Sequence, residues 1–136
     1  MVSNNISQYS SETRGSLATP ILLQFLLNQT GWNCDTFIEK TELDRNFHSV
    51  IQRGVERNYS KRIIVTLAIA FQLDYSSAEM LLRSAGHCLS LNNSVDKAYF
   101  LILTDESCSD IVSCNDRLEK LRIDKKYWLG TLPREF

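Results

Sequence analysis

Between Asn33 and Gly54 the chain reads NCDTFIEKTELDRNFHSVIQRG, a span that fits two brief helices joined by a tight turn. Asn33 is a residue that caps helix N-termini, and Asp35 in the next turn suits the positive end of a helix dipole. Phe37 and Ile38 supply the apolar side of this first helix. Asp44 repeats the capping signal. The second helix carries Phe47, His48 and Ile51 and ends at Gly54, the residue favoured just past a helix C-terminus. At about 100° per residue, Phe47, His48 and Ile51 share one sector, with His48 at the edge of the core. Arg45, Ser49 and Arg53 occupy the opposite side, flanked by Asn46 and Gln52. Arginine and asparagine reach guanine and adenine edges in the major groove, so this is the pattern of a reading helix presented by a preceding one. A plain surface helix turned to water fits these residues equally well.

At 136 residues the chain is long enough for one domain with a real core. Five glycines and two prolines are too few for the turns of a barrel or sandwich, so mostly helix is expected. The formal net charge is −1, which advertises no global field for nucleic acid. Its distribution is more informative. From Asp44 to Arg62, five positive residues (Arg45, Arg53, Arg57, Lys61, Arg62) stand against Asp44 and Glu56, a local balance of +3. Phosphate meets local charge, not the total.

Cys34, Cys88, Cys108 and Cys114 form no CxxC pair, and His48 and His87 stand at no ligand-like spacing from them. No metal or other cofactor is therefore expected. Thiols beside apolar helices behave as small hydrophobes, and the absence of a secretory pattern fits a reducing cytosol. The longest apolar run, Ile63 to Phe71, is interrupted by Thr66 and is far short of the ~20 residues that span a bilayer, so no membrane partner is expected.

The Ser- and Asn-rich start reads as a loose arm over 1–19. A first helix is predicted from Pro20, with Ile21, Leu22, Phe25 and Leu26 on its core side and Gly31 at its end. Trp32 reads as a packing residue. Ser60 caps a helix from Lys61 to about Gln72 that is apolar nearly all round, hence central. Ser76 and Glu79 form an S-x-x-E capping box for a fifth helix that stops at Gly86. Two further helices are predicted, one capped by Ser94 and one starting at Ser109 or Asp110. Tyr127, Trp128 and Leu129 show no period, and either cover the core or meet a partner. The expected organisation is an arm over 1–19, a helical domain over 20–87, and an extension over 88–136 packed on the same domain.

Four stretches carry a resemblance to a known family. They are LDRNFHSVI (Leu43 to Ile51), LAIAFQL (Leu67 to Leu73), EMLLRSAG (Glu79 to Gly86) and DIVSCNDRL (Asp110 to Leu118). In order and spacing they resemble the lambda-repressor and Cro type of helix-turn-helix protein of bacteria and phage, the XRE family, over roughly Pro20 to Leu121. The resemblance implies an all-α fold, a five-helix domain with about two added C-terminal helices, whose third helix enters the major groove. By position, Arg45, Asn46 and Ser49 would face bases, while Arg53, Arg57, Lys61 and Arg62 would lie along the phosphates. Cys34 stands where relatives often place a phosphate-holding glutamine. Glu42 stands at a turn position that is frequently glycine, which implies a slightly different turn.

Two functions follow. The first is a sequence-specific transcriptional regulator of double-stranded DNA in the cytoplasm of a bacterial or phage-infected cell. Such domains usually dimerise, and the helices after Gly86 offer a homodimer surface. The second is an adaptor or antitoxin-like partner protein that keeps the fold without operator binding and engages a protein through its C-terminal segment. Terminal aromatics are common interface anchors. The chain has no Gly-rich phosphate loop, no G-x-S-x-G and no Cys–His nucleophile spacing, and reads as a non-enzyme.

Overall fold

The computed structural model describes residues 18–130. The described residues form seven α-helices, one short 3-10 turn and no strand, so the fold is all-α. The helices are α1 (Thr19–Thr30), α2 (Cys34–Thr41), α3 (Arg45–Arg53), α4 (Lys61–Ala70), α5 (Tyr75–Ser84), α6 (Ser94–Thr104) and α7 (Ile111–Lys120). The arm expected over 1–19 falls, apart from Ala18 and Thr19, outside the described residues.

α1 starts one residue earlier than Pro20, and its core face is rotated from the expected one. Leu22, Leu23, Leu26 and Leu27 are buried, Phe25 is half-buried, and Ile21 is exposed. The helix packs against both α3 and α5, and adjacent leucine pairs one turn apart fill that two-sided groove better than a single stripe. Thr19 ties its start to the end of α5 through Ser84 Oγ at 2.8 Å.

The α2–α3 unit forms where the capping signals place it. Asn33 Oδ1 accepts the Thr36 N–H at 2.8 Å, and Asp44 Oδ1 accepts the N–H groups of Asn46 and Phe47 at 3.0 and 3.3 Å. Buried Thr41 stitches the turn: its hydroxyl donates to Phe37 O and accepts from Leu43 N–H. Glu42 takes the left-handed conformation, with φ 53° and ψ 31°. The turn is thus the one glycine would make, made by a residue with a side chain. At the far end, Gly54 has φ 67°, and a Cβ there would come within 3.3 Å of the Gln24 amide, which itself donates to Gln52 O. Both space and backbone conformation call for glycine at this position.

α4 is central. Every residue from Ile63 to Ala70 is buried, and Ser60 caps its start by accepting the Ile63 N–H. Trp32 stacks on Phe71 just past its end, with ring centroids 5.4 Å apart.

Two predicted caps are displaced. α5 is capped by Asp74, which accepts the Ser77 N–H at 2.7 Å, so Ser76 lies inside the first turn and the Ser76–Glu79 box does not form the start. A left-handed Gln72 (φ 55°) reverses the chain early and delivers Asp74 to the cap position. Glu79 pairs instead with Arg83 one turn on. Likewise Asn93, not Ser94, caps α6, accepting the N–H groups of Val95 and Asp96. Asp110 caps α7.

α6 and α7 share one hydrophobic core with the first five helices, meeting them mainly on α4 and α5. The chain then returns over α4 as a strap. Arg62 donates to the carbonyls of Trp128 and Gly130 at 3.2 and 2.6 Å, and Gly130 N–H donates to Thr66 Oγ1. Buried Asn115 exchanges both of its amide groups with Leu129, at 2.8 and 3.1 Å, while Tyr99 Oη donates to Tyr127 O at 2.6 Å. Leu129 is fully buried, and Trp128 Nε1 donates to Ile123 O. Of the terminal segment, Lys125 to Phe136, expected either to cover the core or to meet a partner, the part up to Gly130 covers the core with Tyr127 left partly exposed, and 131–136 lie outside the described residues.

Candidate nucleic-acid interface

α3 is held from behind by Phe47, His48 and Ile51, all buried. The His48 ring meets Phe37 edge-on, with centroids 5.3 Å apart, and so locks α3 onto α2. With that face fixed, Arg45, Asn46, Ser49, Gln52 and Arg53 are all exposed on the other. The structure therefore brings together Arg45, Asn46, Ser49 and Arg53. Arg53 lies along its own helix, its Nε donating to Ser49 O at 3.3 Å.

Arg57 joins them from the following loop. Its guanidinium sits 4.3 Å from the centroid of the Phe47 ring and 5.9 Å from that of Tyr59, a cation–π arrangement that holds an exposed charge beside the start of α3. Tyr59 is itself buried, and its main-chain carbonyl is held by His87 Nε2 at 2.7 Å. Burial raises the Tyr59 phenol pKa above its ordinary value, with Arg57 opposing.

Lys61 and Arg62 are placed otherwise. Lys61 Nζ lies 3.0 and 3.1 Å from the two carboxylate oxygens of Asp96 on α6, and Asp96 also accepts the Ser90 N–H. Arg62 is engaged by the strap carbonyls already described. Both cations bind the extension to α4. No local signal in the sequence could have revealed this, because Asp96 and the strap lie 35 and more than 60 residues away.

The electrostatic consequence is direct. From Asp44 to Tyr59, Arg45, Arg53 and Arg57 face Asp44 and Glu56, which leaves +1 where the longer span read +3. Adding α2 and the turn brings in Asp35, Glu39 and Glu42 against Lys40, so the whole span from Cys34 to Tyr59 stands at −1. Cys34, at the first position of α2, is half-buried.

No described helix is long and apolar enough to cross a membrane. Comparisons of the chain with protein-family models, curated proteins and solved structures return no match.

Proposed function

We propose that the chain is a sequence-specific DNA-binding regulator with a lambda-repressor-like arrangement, in which α3 enters the major groove. The observation that supports this reading is the exposed polar face of α3, five side chains fixed in orientation by a fully packed opposite face and by a double cap at Asp44. A nine-residue helix is about 13 Å long, enough to lay its first two turns against base edges. Arg45 would read guanine through paired N–H groups, and Asn46 would read adenine through its amide. Arg57, oriented by Phe47, and Arg53 would hold phosphate and set the register.

The test is binding of the intact chain to a randomised duplex pool at low salt, followed by anisotropy titrations on the enriched site. Arg45→Ala should lower affinity for that site by about 1–3 kcal/mol and relax preference at one position. Arg57→Ala should weaken all sequences alike. Absence of any duplex binding at low salt would overturn the reading.

One observation favours a second reading, a protein-binding adaptor on the same fold. The span from Cys34 to Tyr59 carries a net charge of −1, which suits a basic protein surface better than phosphate. Trp128 and Leu129 are committed to the chain's own core, which leaves Tyr127 as the exposed aromatic of the described tail.

A further inference from the structure

At the opposite end of α4 from Lys61 and Arg62 lies a cleft of about 510 Å³, formed by the C-terminal ends of α4 and α6, the start of α5, and the loop into α7. Its volume falls in the range of small-molecule sites. One wall is apolar, built from Ile69, Leu73 and Ile102 and completed by the ring of Tyr75. Tyr75 is held in place edge-on against Phe100, with centroids 5.1 Å apart. The rim carries Asp74, Asp105 and Glu106, and no lysine, arginine or histidine lines the cleft.

The backbone adds to this one-sided charge. α4, α5 and α7 each close with a C-cap N–H bonded back to helix carbonyls, whereas α6 passes into extended backbone at Asp105, where only the Thr104 hydroxyl folds back, onto the carbonyls of Phe100 and Leu101. Neither α4 nor α6 has a basic residue in its last turn. The negative ends of two helix dipoles therefore meet at the cleft, and the one positive end there, the start of α5, is covered by the Asp74 carboxylate. Asp105 is largely balanced by Arg117 at 2.7 Å and by Ser107. Asp74 accepts the Ser77 N–H through Oδ1, and Glu106 is exposed at the rim.

We propose that this cleft binds a small organic cation, a primary ammonium on an apolar body of a few carbons. The ammonium would sit among Asp74, Glu106 and the open carbonyl end of α6, where its three N–H donors meet groups that only accept. The body would lie against Leu73, Ile102 and the face of Tyr75, which itself favours a cation. A neutral ligand of the same shape would gain only the apolar contact, and an anion would be repelled. The chemistry of the cleft does not depend on what α3 contacts.

The experiment is an amide chemical-shift titration of the full chain with n-hexylammonium, 1-hexanol and hexanoate. The ammonium should shift the amides of Leu103 to Ser109 and of Asp74 and Tyr75 saturably, with an affinity at least about tenfold above that of hexanol, which is 1.4 kcal/mol. Hexanoate should shift none of them. The double variant Asp74→Asn, Glu106→Gln keeps a good helix cap and should lose about tenfold for the ammonium alone. Equal affinity for hexanol, shifts that map elsewhere or fail to saturate, or a folded double variant that still binds the ammonium as tightly would each overturn the proposal.

Discussion

Glu42 occupies a backbone conformation that costs an ordinary residue about 1–2 kcal/mol, and it does so at the turn that sets the angle between α2 and α3. Replacing it with glycine relieves that strain but adds freedom to the unfolded chain, an opposing effect of about 0.4–1 kcal/mol. The net expectation for Glu42→Gly is a gain of about 0.5 kcal/mol, read as a higher urea midpoint at unchanged slope. Glu42→Gln keeps the strained backbone and should gain none of it. Tyr99 gives a pH signature at the same scale. Burial, the largest influence, pushes its phenol up to about 12, and its hydroxyl donates to Tyr127 O. The folded chain therefore holds a proton that the unfolded chain releases near pH 10. This contribution to stability is complete below pH 10 and is lost as pH rises toward 12. Tyr99→Phe should flatten that alkaline decline in denaturation profiles taken between pH 9 and 12, and an unchanged slope would count against the assignment.

At the scale of the elements, the signals readable in the sequence were local ones. Asn33, Asp44, Ser60 and Gly54 act within a turn of their own position, and each does what its type and place imply. The core face of α3 and the central burial of α4 follow from periodicity alone. Errors entered where two local signals competed, as with Asp74 against Ser76, and where tertiary packing chose among leucines, as in α1. The partners of Lys61 and Arg62 were illegible for a different reason: a cation reads the same whether it will meet phosphate or a carboxylate from a helix far along the chain. That difference is measurable. Lys61→Ala leaves Asp96, buried at 7 % exposure, with only the Ser90 N–H as a partner. The expected loss is about 1–3 kcal/mol of stability. The same variant should leave the salt dependence of any DNA binding unchanged, which a phosphate contact at Lys61 would not allow.

For the whole molecule, the reassignment of two cations changes what association with DNA should look like. Among the described residues, Lys61 and Arg62 hold the extension and the strap on α4, so that Arg45, Arg53 and Arg57 are the exposed arginines on and beside the α3 face. Each neutralised phosphate contributes about −0.9 to the slope of log K against log salt on duplex DNA. With Arg45 on a base and Arg53 and Arg57 on phosphate, one protomer should therefore give a slope of about −1.8, and a dimer on two half-sites a slope of about −3.6. With Lys61 and Arg62 on phosphate as well, the values would be about −3.6 and −7.2. Anisotropy titrations between 50 and 200 mM KCl, with the protomer count fixed by sedimentation, separate the two cases. A shallow slope has a functional corollary. Non-specific affinity rests on counterion release, and on the proposed reading a helix-turn-helix span with a net charge of −1 would hold random duplex weakly. Discrimination by the proposed base contacts of Arg45 and Asn46 would then make up a larger share of total affinity than in a strongly basic domain. Arg45→Ala should accordingly cost the preferred site about 1–3 kcal/mol while changing the affinity for random duplex much less.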